Sequence, residues 1–263
     1  MSAESKTSTT VARAFAILDM LISKGDAGLS LSEVSSHLRV SKSTAHRYLT
    51  TMEELEVVKR DEWDRFSLGP KLIELAGAFL SNLDLRNESE PILEQLSAQT
   101  LETVHLAIPS GNDIIYIAKV DSPQSVRMAS RIGTRNPMPC TALGKAILAH
   151  YPSDRLEEII RDGLPERTTF SLTTPEALRA ELERVRAQGF ATDDQENEMG
   201  VRCAGAPIFD YAGKVIGAIS VSGPASRISK EKSIEFGQLT HDAAQQVSRR
   251  LGYHPLVGDE PVR

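Results

Sequence analysis

The chain has 263 residues, of which 40% are hydrophobic and 25% charged, with a formal net charge of −6. Such a chain buries a core of its own without disulfide or metal staples. An acidic total argues against a protein that coats nucleic acid over its whole surface, but it leaves room for a small DNA-reading module on a larger body.

Residues 1–9 are small and polar and are expected to form a disordered arm. From Thr10 the pattern turns helical, with Val11, Ala14, Phe15, Leu18, Leu21 and Ile22 at three- and four-residue spacing. Gly25 and Gly28 end that helix. Ser30, with Glu33 three residues on, has capping-box spacing. It opens a second helix whose apolar residues are Leu31, Val34 and Leu38. Val40 and Ser41 break the run, and SKSTAHRYLTTMEEL follows as a third helix. Its expected buried stripe is Ala45, Tyr48, Leu49, Met52 and Leu55. Two β-prone pieces, 57–60 and 65–68, flank DEWD and read as a hairpin. Helices followed by a hairpin in this order predict a winged helix-turn-helix over residues 10–69.

Gly69-Pro70 punctuates the chain. Leu72, Leu75, Ala76, Phe79, Leu80 and Leu83 then predict a linker helix over 70–87 that packs against a partner or a second subunit. A second domain is expected over 88–253, followed by a tail, 254–263. It opens with a helix at 88–100 carrying Pro91 in its first turn. Strands are expected at 103–108, 114–120, 126–132, 189–192, 206–209 and 215–222. Helices are expected at TALGKAILAHY, 154–161, 175–188 and 229–251. Strands and helices do not alternate strictly, so the fold class is α+β with a mostly antiparallel sheet.

No apolar run approaches the ~20 residues that span a bilayer, and MSAESKTSTT lacks the apolar stretch of a secretory signal. A cytoplasmic protein with no membrane partner is expected. Cys140 and Cys203 give no disulfide framework, although one bridge between them stays open. With His105 and His150 they show no metal-ligand spacing, so no metal and no cofactor are expected.

The third helix carries the first candidate site. Its stripe leaves Lys42, Ser43, His46, Arg47 and Thr50 on the other faces. Lys42 and His46, and Ser43 and Arg47, stack four residues apart. With Ser41 and Thr44 they place hydroxyls and cations at a helix N-terminus, where phosphate binds readily and where Lys and Arg reach guanine edges. Glu53 and Glu54 lie at the far end. Asp61, Glu62 and Asp64 sit at the hairpin tip, which makes the flanking Arg60 and Arg65 the better backbone contacts. The competing reading is a solvated amphipathic helix with capping serines.

These segments resemble an IclR-type transcriptional regulator over nearly the full length. The resemblance rests on SKSTAHRYLTTMEEL, on IIYIAKVDS, on RIGTRNPMPCTALGKAILA, and on DDQENEMGVRCAGAPIFDYAGKVIGAISVSG. It implies an amino-terminal winged helix-turn-helix on operator DNA, a linker helix, and a GAF-like domain that binds a small effector. It also implies homodimers or tetramers and no catalytic residues. It is nearest to regulators of sugar-acid catabolism, through ETVHLAI and RIGTRNPM. By the family pattern the effector contacts are Ala142, Leu143, Asp193, Cys203, Ser220 and Ser222, with Met138, Met199 and Val201 as apolar walls. Ser220 and Ser222 share a strand face, and the first N–H groups of the TALGKA helix suit a carboxylate. Asp193 would repel a carboxylate unless it meets a hydroxyl, so a 2-oxo acid or sugar acid is expected. The sign of regulation is expected to be repression of a catabolic operon, with activation as the alternative. The rival from another class is an enzyme using Cys203 with His105 as its base.

Overall fold

The first core is closed by helices and a small sheet. Helix α1 (Thr9–Lys24) turns at Gly28 into β1 (Leu29–Ser30). Then come α2 (Leu31–Leu38), α3 (Lys42–Glu54), β2 (Val58–Arg60) and β3 (Arg65–Leu68). The computed structural model describes residues 9–75 and 84–254. The expected amino-terminal arm, much of the linker helix and nearly all of the tail lie outside the described residues. The chain divides into two units, one before Asp84 and one from Asp84 onward.

In the first unit Ile17, Leu21, Val34, Ala45, Leu49, Met52, Val58 and Phe66 form the core. The expected capping box is present: the Ser30 side chain accepts from Glu33 N–H, and the Glu33 carboxylate accepts from Ser30 N–H at 2.8 Å. Arg39 ends α2 in the left-handed region, and Val40 N–H donates back to Ser35 O, which sets the tight turn into α3. Ser41 caps α3 by accepting from Thr44 N–H. The sheet order is β1-β3-β2, all antiparallel. The apolar stripe of α1 divides. Ile17 and Leu21 are buried, whereas Val11, Phe15 and Ile22 are exposed, because they lie on a different side of the helix from Ile17. Leu55, expected in the α3 stripe, is also exposed beyond the end of that helix.

The second unit opens with α4 (Leu85–Thr100), capped by Asp84, and then builds a six-stranded sheet. Its strands are β4 (Thr103–Ser110), β5 (Asp113–Val120), β6 (Arg135–Pro137), β7 (Ala191–Asp194), β8 (Val201–Phe209) and β9 (Val215–Pro224). The order is β6-β5-β4-β9-β8-β7, and every pair is antiparallel. The helices are α5 (Ala142–Leu148), α6 (Ser153–Asp162), α7 (Pro175–Gln188) and α8 (Lys230–Arg250). β9 is buried along nearly its whole length, so both sheet faces are covered. Leu143, Ile147, Ile159, Leu178, Leu182 and Val185 of α5, α6 and α7 share one core cluster with Ala107 and Ala218. The α+β architecture with an antiparallel sheet is therefore as the sequence led us to expect.

Residues 126–132 are not a strand. The edge of β5 pairs with Arg135–Pro137 instead, and residues 121–130 run as an irregular strap with Val126 exposed. Lys119 Nζ donates to Met128 O and Ser130 O, and Arg227 donates to Val126 O, so side chains replace a ladder. β8 starts at Val201 rather than 206, which brings Cys203 onto the sheet.

No helix among the described residues is long and apolar enough to cross a membrane.

Candidate DNA interface and ligand pocket

On α3, Lys42, Ser43, His46 and Arg47 are exposed. Ser41 is committed to its cap, with its Oγ 2.9 Å from both Ser43 Oγ and Thr44 Oγ1. Thr44 is half-buried. The helix therefore presents two cations, an imidazole and a hydroxyl on surface that its core contacts do not use.

Arg60 and Arg65 are placed differently from the expectation. Arg65 donates through Nε to Ala27 O at 2.6 Å and through Nη2 to Gly28 O at 2.8 Å, with Glu33 at 3.6 Å. It ties the hairpin to the turn after α1. Gly28 has φ +60°, and a Cβ there would come within 2.9 Å of Phe66 O, so only glycine allows this approach. Arg60 lies 3.1 Å from Asp64 and 3.8 Å from Glu53, over the Phe66 ring. The Arg65 guanidinium is engaged by the Ala27 and Gly28 carbonyls, whereas Arg60 stays exposed beside its carboxylate neighbours. Arg65→Ala is expected to lower the stability of the first unit by about 1–2 kcal/mol, read as an earlier thermal transition. No change in melting would refute the tie.

In the second unit, strand register builds the pocket floor. Asp193 pairs with Cys203, Cys203 with Ser222, and Ser222 with Thr103, in one row across β7, β8, β9 and β4. Two residues along, the next row on the same face runs Gly205, Ser220, His105 and Lys119. A Cβ on Gly205 would come within 2.8 Å of the Ala142 carbonyl carbon and 3.0 Å of Leu143 N. Its absence lets the start of α5 lie directly on β8. Thr141 Oγ1 accepts from Gly144 N–H, leaving the Ala142 and Leu143 N–H groups at the open end of the helix.

The result is a cavity of about 300 Å³. Ala142, Leu143, Asp193, Cys203, Ser220, Ser222 and Val201 all line it. Met138 and Met199 do not. Met138 is wholly buried in the core around α5, where Gly144 packs against its backbone. Met199 is 59% exposed at the turn before β8. Sequence reasoning missed Tyr116, Ser130, Asn136 and Asn197 as lining residues, and it weighed His105 only as a base. A histidine inside the apolar run VHLAI was a signal for His105; the strap residue Ser130 had none.

Burial sets the electrostatics. It pushes the Asp193 carboxyl up to about 7, helped by the nearby Glu196 charge and opposed by Lys145 and the N–H groups of Glu196 and Asn197. It pushes the Cys203 thiol well up, again with Asp193 adding. Burial and the Lys119 charge bring His105 down to about 3. His105 shares its Nε2 with Ser130 Oγ at 2.6 Å and stacks on Tyr116. Burial works against both the thiolate of Cys203 and the charged form of His105, and the His105 Nε2 is engaged by Ser130 rather than by Cys203. The pocket is suited to holding a polar molecule rather than attacking one. No group of metal-ligating side chains occurs among the described residues.

Two family models match the chain: the IclR helix-turn-helix domain over residues 10–62, and the bacterial transcriptional regulator IclR C-terminal domain over residues 77–249. The chain is 39% identical over 248 residues to the HTH-type transcriptional regulator KdgR of Escherichia coli, covering 94% of each. It is 33% identical to the HTH-type transcriptional repressor AllR of Salmonella typhi, over 93% of this chain and 90% of AllR. The crystal structure of the Agobacterium tumefaciens repressor BlcR matches with a TM-score of 0.83 at 32% identity, over 95% of this chain and 100% of that one. The chain belongs to the IclR family of bacterial transcriptional regulators, and it is a DNA-binding regulator rather than an enzyme.

Proposed function

We propose that the chain represses a catabolic operon and releases or tightens its operator when a small carboxylic acid, a 2-oxo acid or sugar acid, fills the cavity. Lys42, Ser43, His46 and Arg47 of α3 read and grip the major groove, two subunits presenting two such helices to a pseudo-palindromic site. The observation that carries the effector reading is the convergence of Asp193, Cys203, Ser220 and Ser222 with the first two residues of α5 in one cavity. Such a lining offers donors to a carboxylate, and hydroxyls with a half-protonated carboxyl to a polyol or hydrated carbonyl. Repression is supported by the relatives AllR and BlcR, both described as repressors. The effector acts only insofar as it binds the DNA-competent and DNA-incompetent arrangements with different strength.

A thermal-shift screen of small carboxylic acids tests the reading. At least one 2-oxo or sugar acid is expected to raise the melting temperature of the second unit, and the shift is expected to disappear in Ser220→Ala/Ser222→Ala. Stabilisation by none of them, or an equal shift in the double variant, would count against the pocket.

A further inference from the structure

Among the described residues, the most deeply buried cation of the second unit lies outside the cavity. Lys145 is 0% exposed. It sits in α5, and its Nζ donates to both Glu196 oxygens, at 2.5 and 2.6 Å. Glu181 Oε1 stands 3.5 Å away and is itself held by Arg184. Lysine is rarely taken fully out of water unless paired, because desolvating an ammonium is costly. A methionine or leucine would fill the same space without that cost, so the charge calls for a reason.

The partner supplies one. Glu196 is fastened at every polar group it has. Its N–H donates to Asp193 Oδ1 at 2.7 Å. Its carbonyl accepts from Ser171 Oγ at 2.7 Å, and Thr168 Oγ1 donates to the preceding carbonyl, Gln195 O, at 2.6 Å. Its carboxylate takes Lys145. The next two residues, Asn197 and Glu198, line the cavity, as does Asp193. Gln195 and Gly200 have positive φ, so the segment is a tight excursion between β7 and β8 rather than a continuation of either. Its side-chain tie to the rest of the unit through α5 is the Lys145–Glu196 pair, and α5 is also the helix whose first residues line the cavity.

We propose that Lys145 is a positioning residue of the effector pocket: by gripping Glu196 it locks the 195–200 segment to α5 and so fixes where Asp193, Asn197 and Glu198 stand. The proposal rests on the cavity being the effector site. Lys145 touches no ligand. It acts through Glu196, and it makes α5 and the 195–200 segment one wall, so that a ligand drawing on either displaces both.

The test uses the full-length protein with Lys145→Met and Glu196→Gln. Glu196→Gln leaves Lys145 its Glu181 partner, so it keeps the experiment alive should Lys145→Met fold poorly. Amide hydrogen exchange of residues 195–200 is read alongside peptides from β4 and β9, and dissociation constants are measured for pyruvate and D-gluconate. Exchange in 195–200 is expected to rise at least tenfold while β4 and β9 keep wild-type rates, and the dissociation constant of the acid that binds is expected to rise at least tenfold. Wild-type exchange in 195–200 in the folded variants would overturn the proposal. So would an even rise across the whole unit, which would make the pair ordinary core. If the wild-type protein binds neither acid, these acids are not its effectors; a local rise in exchange would still support the Lys145 anchor, and its absence would still overturn it.

Discussion

Asp193→Asn is expected to stabilise the protein at pH 8, by up to about 4 kcal/mol, and to flatten the pH dependence of effector binding. The carboxyl has an ordinary value of 3.8 and is pushed up to about 7 in the folded chain, first by burial and then by Glu196. An acid raised on folding holds its proton more tightly when native. Its adverse contribution is therefore absent below pH ~4, grows between pH ~4 and ~7, and is complete above that window. The amide keeps an oxygen for Glu196 N–H, so the hydrogen bond that positions the side chain survives. A carboxylate ligand sharing the cavity favours protonated Asp193, so wild-type affinity is expected to rise as pH falls through about 7. Calorimetry at pH 6 and pH 8, with unfolding curves at both, reads this. Equal stability of the Asp193→Asn variant and the wild-type protein at pH 8 would refute the buried-carboxyl account.

Lys42→Ala and Arg47→Ala are each expected to weaken operator binding roughly ten- to hundredfold at moderate salt while leaving the melting curve unchanged. Both side chains are exposed on α3, whose buried residues are Ala45, Leu49 and Met52. A variant that has lost a phosphate contact also loses about one unit from the slope of log affinity against log salt. A variant that has lost a base contact keeps its slope and loses discrimination at one base pair. Fluorescence anisotropy across a salt series separates the two. Operator affinity unaltered in both variants would remove α3 from the groove.

The parts of the fold that were legible in sequence were those governed by local chemistry. Ser30 and Glu33 announced α2 because a capping box is a four-residue device. Ser41 announced α3 because an N-cap serine works locally, accepting from the Thr44 N–H three residues on. Alternating Ser220 and Ser222 placed themselves on one face of β9 because strand periodicity is local. The misreadings involve partners distant in sequence. The expected backbone contacts of Arg60 and Arg65 took no account of Glu53, Glu33 and the carbonyls of Ala27 and Gly28, which approach them only on folding. Residues 126–132 looked like a strand from Val126, Met128 and Ile132, but β6 takes the edge of β5, and Lys119 and Arg227 hold the strap. Met138 matched an apolar wall in composition, yet the turn before α5 drives it into the core. Lys145 carries no local signal of its role, since its partner Glu196 is 51 residues away along the chain.

The most direct measurement titrates operator-bound protein with the acid that stabilises it, following DNA affinity and the acid together. The account predicts at least a tenfold change in operator affinity, reversed on removing the acid, with the acid recovered chemically unchanged. Operator affinity indifferent to a tightly bound acid, or conversion of the acid that is lost in Cys203→Ala, would contradict it.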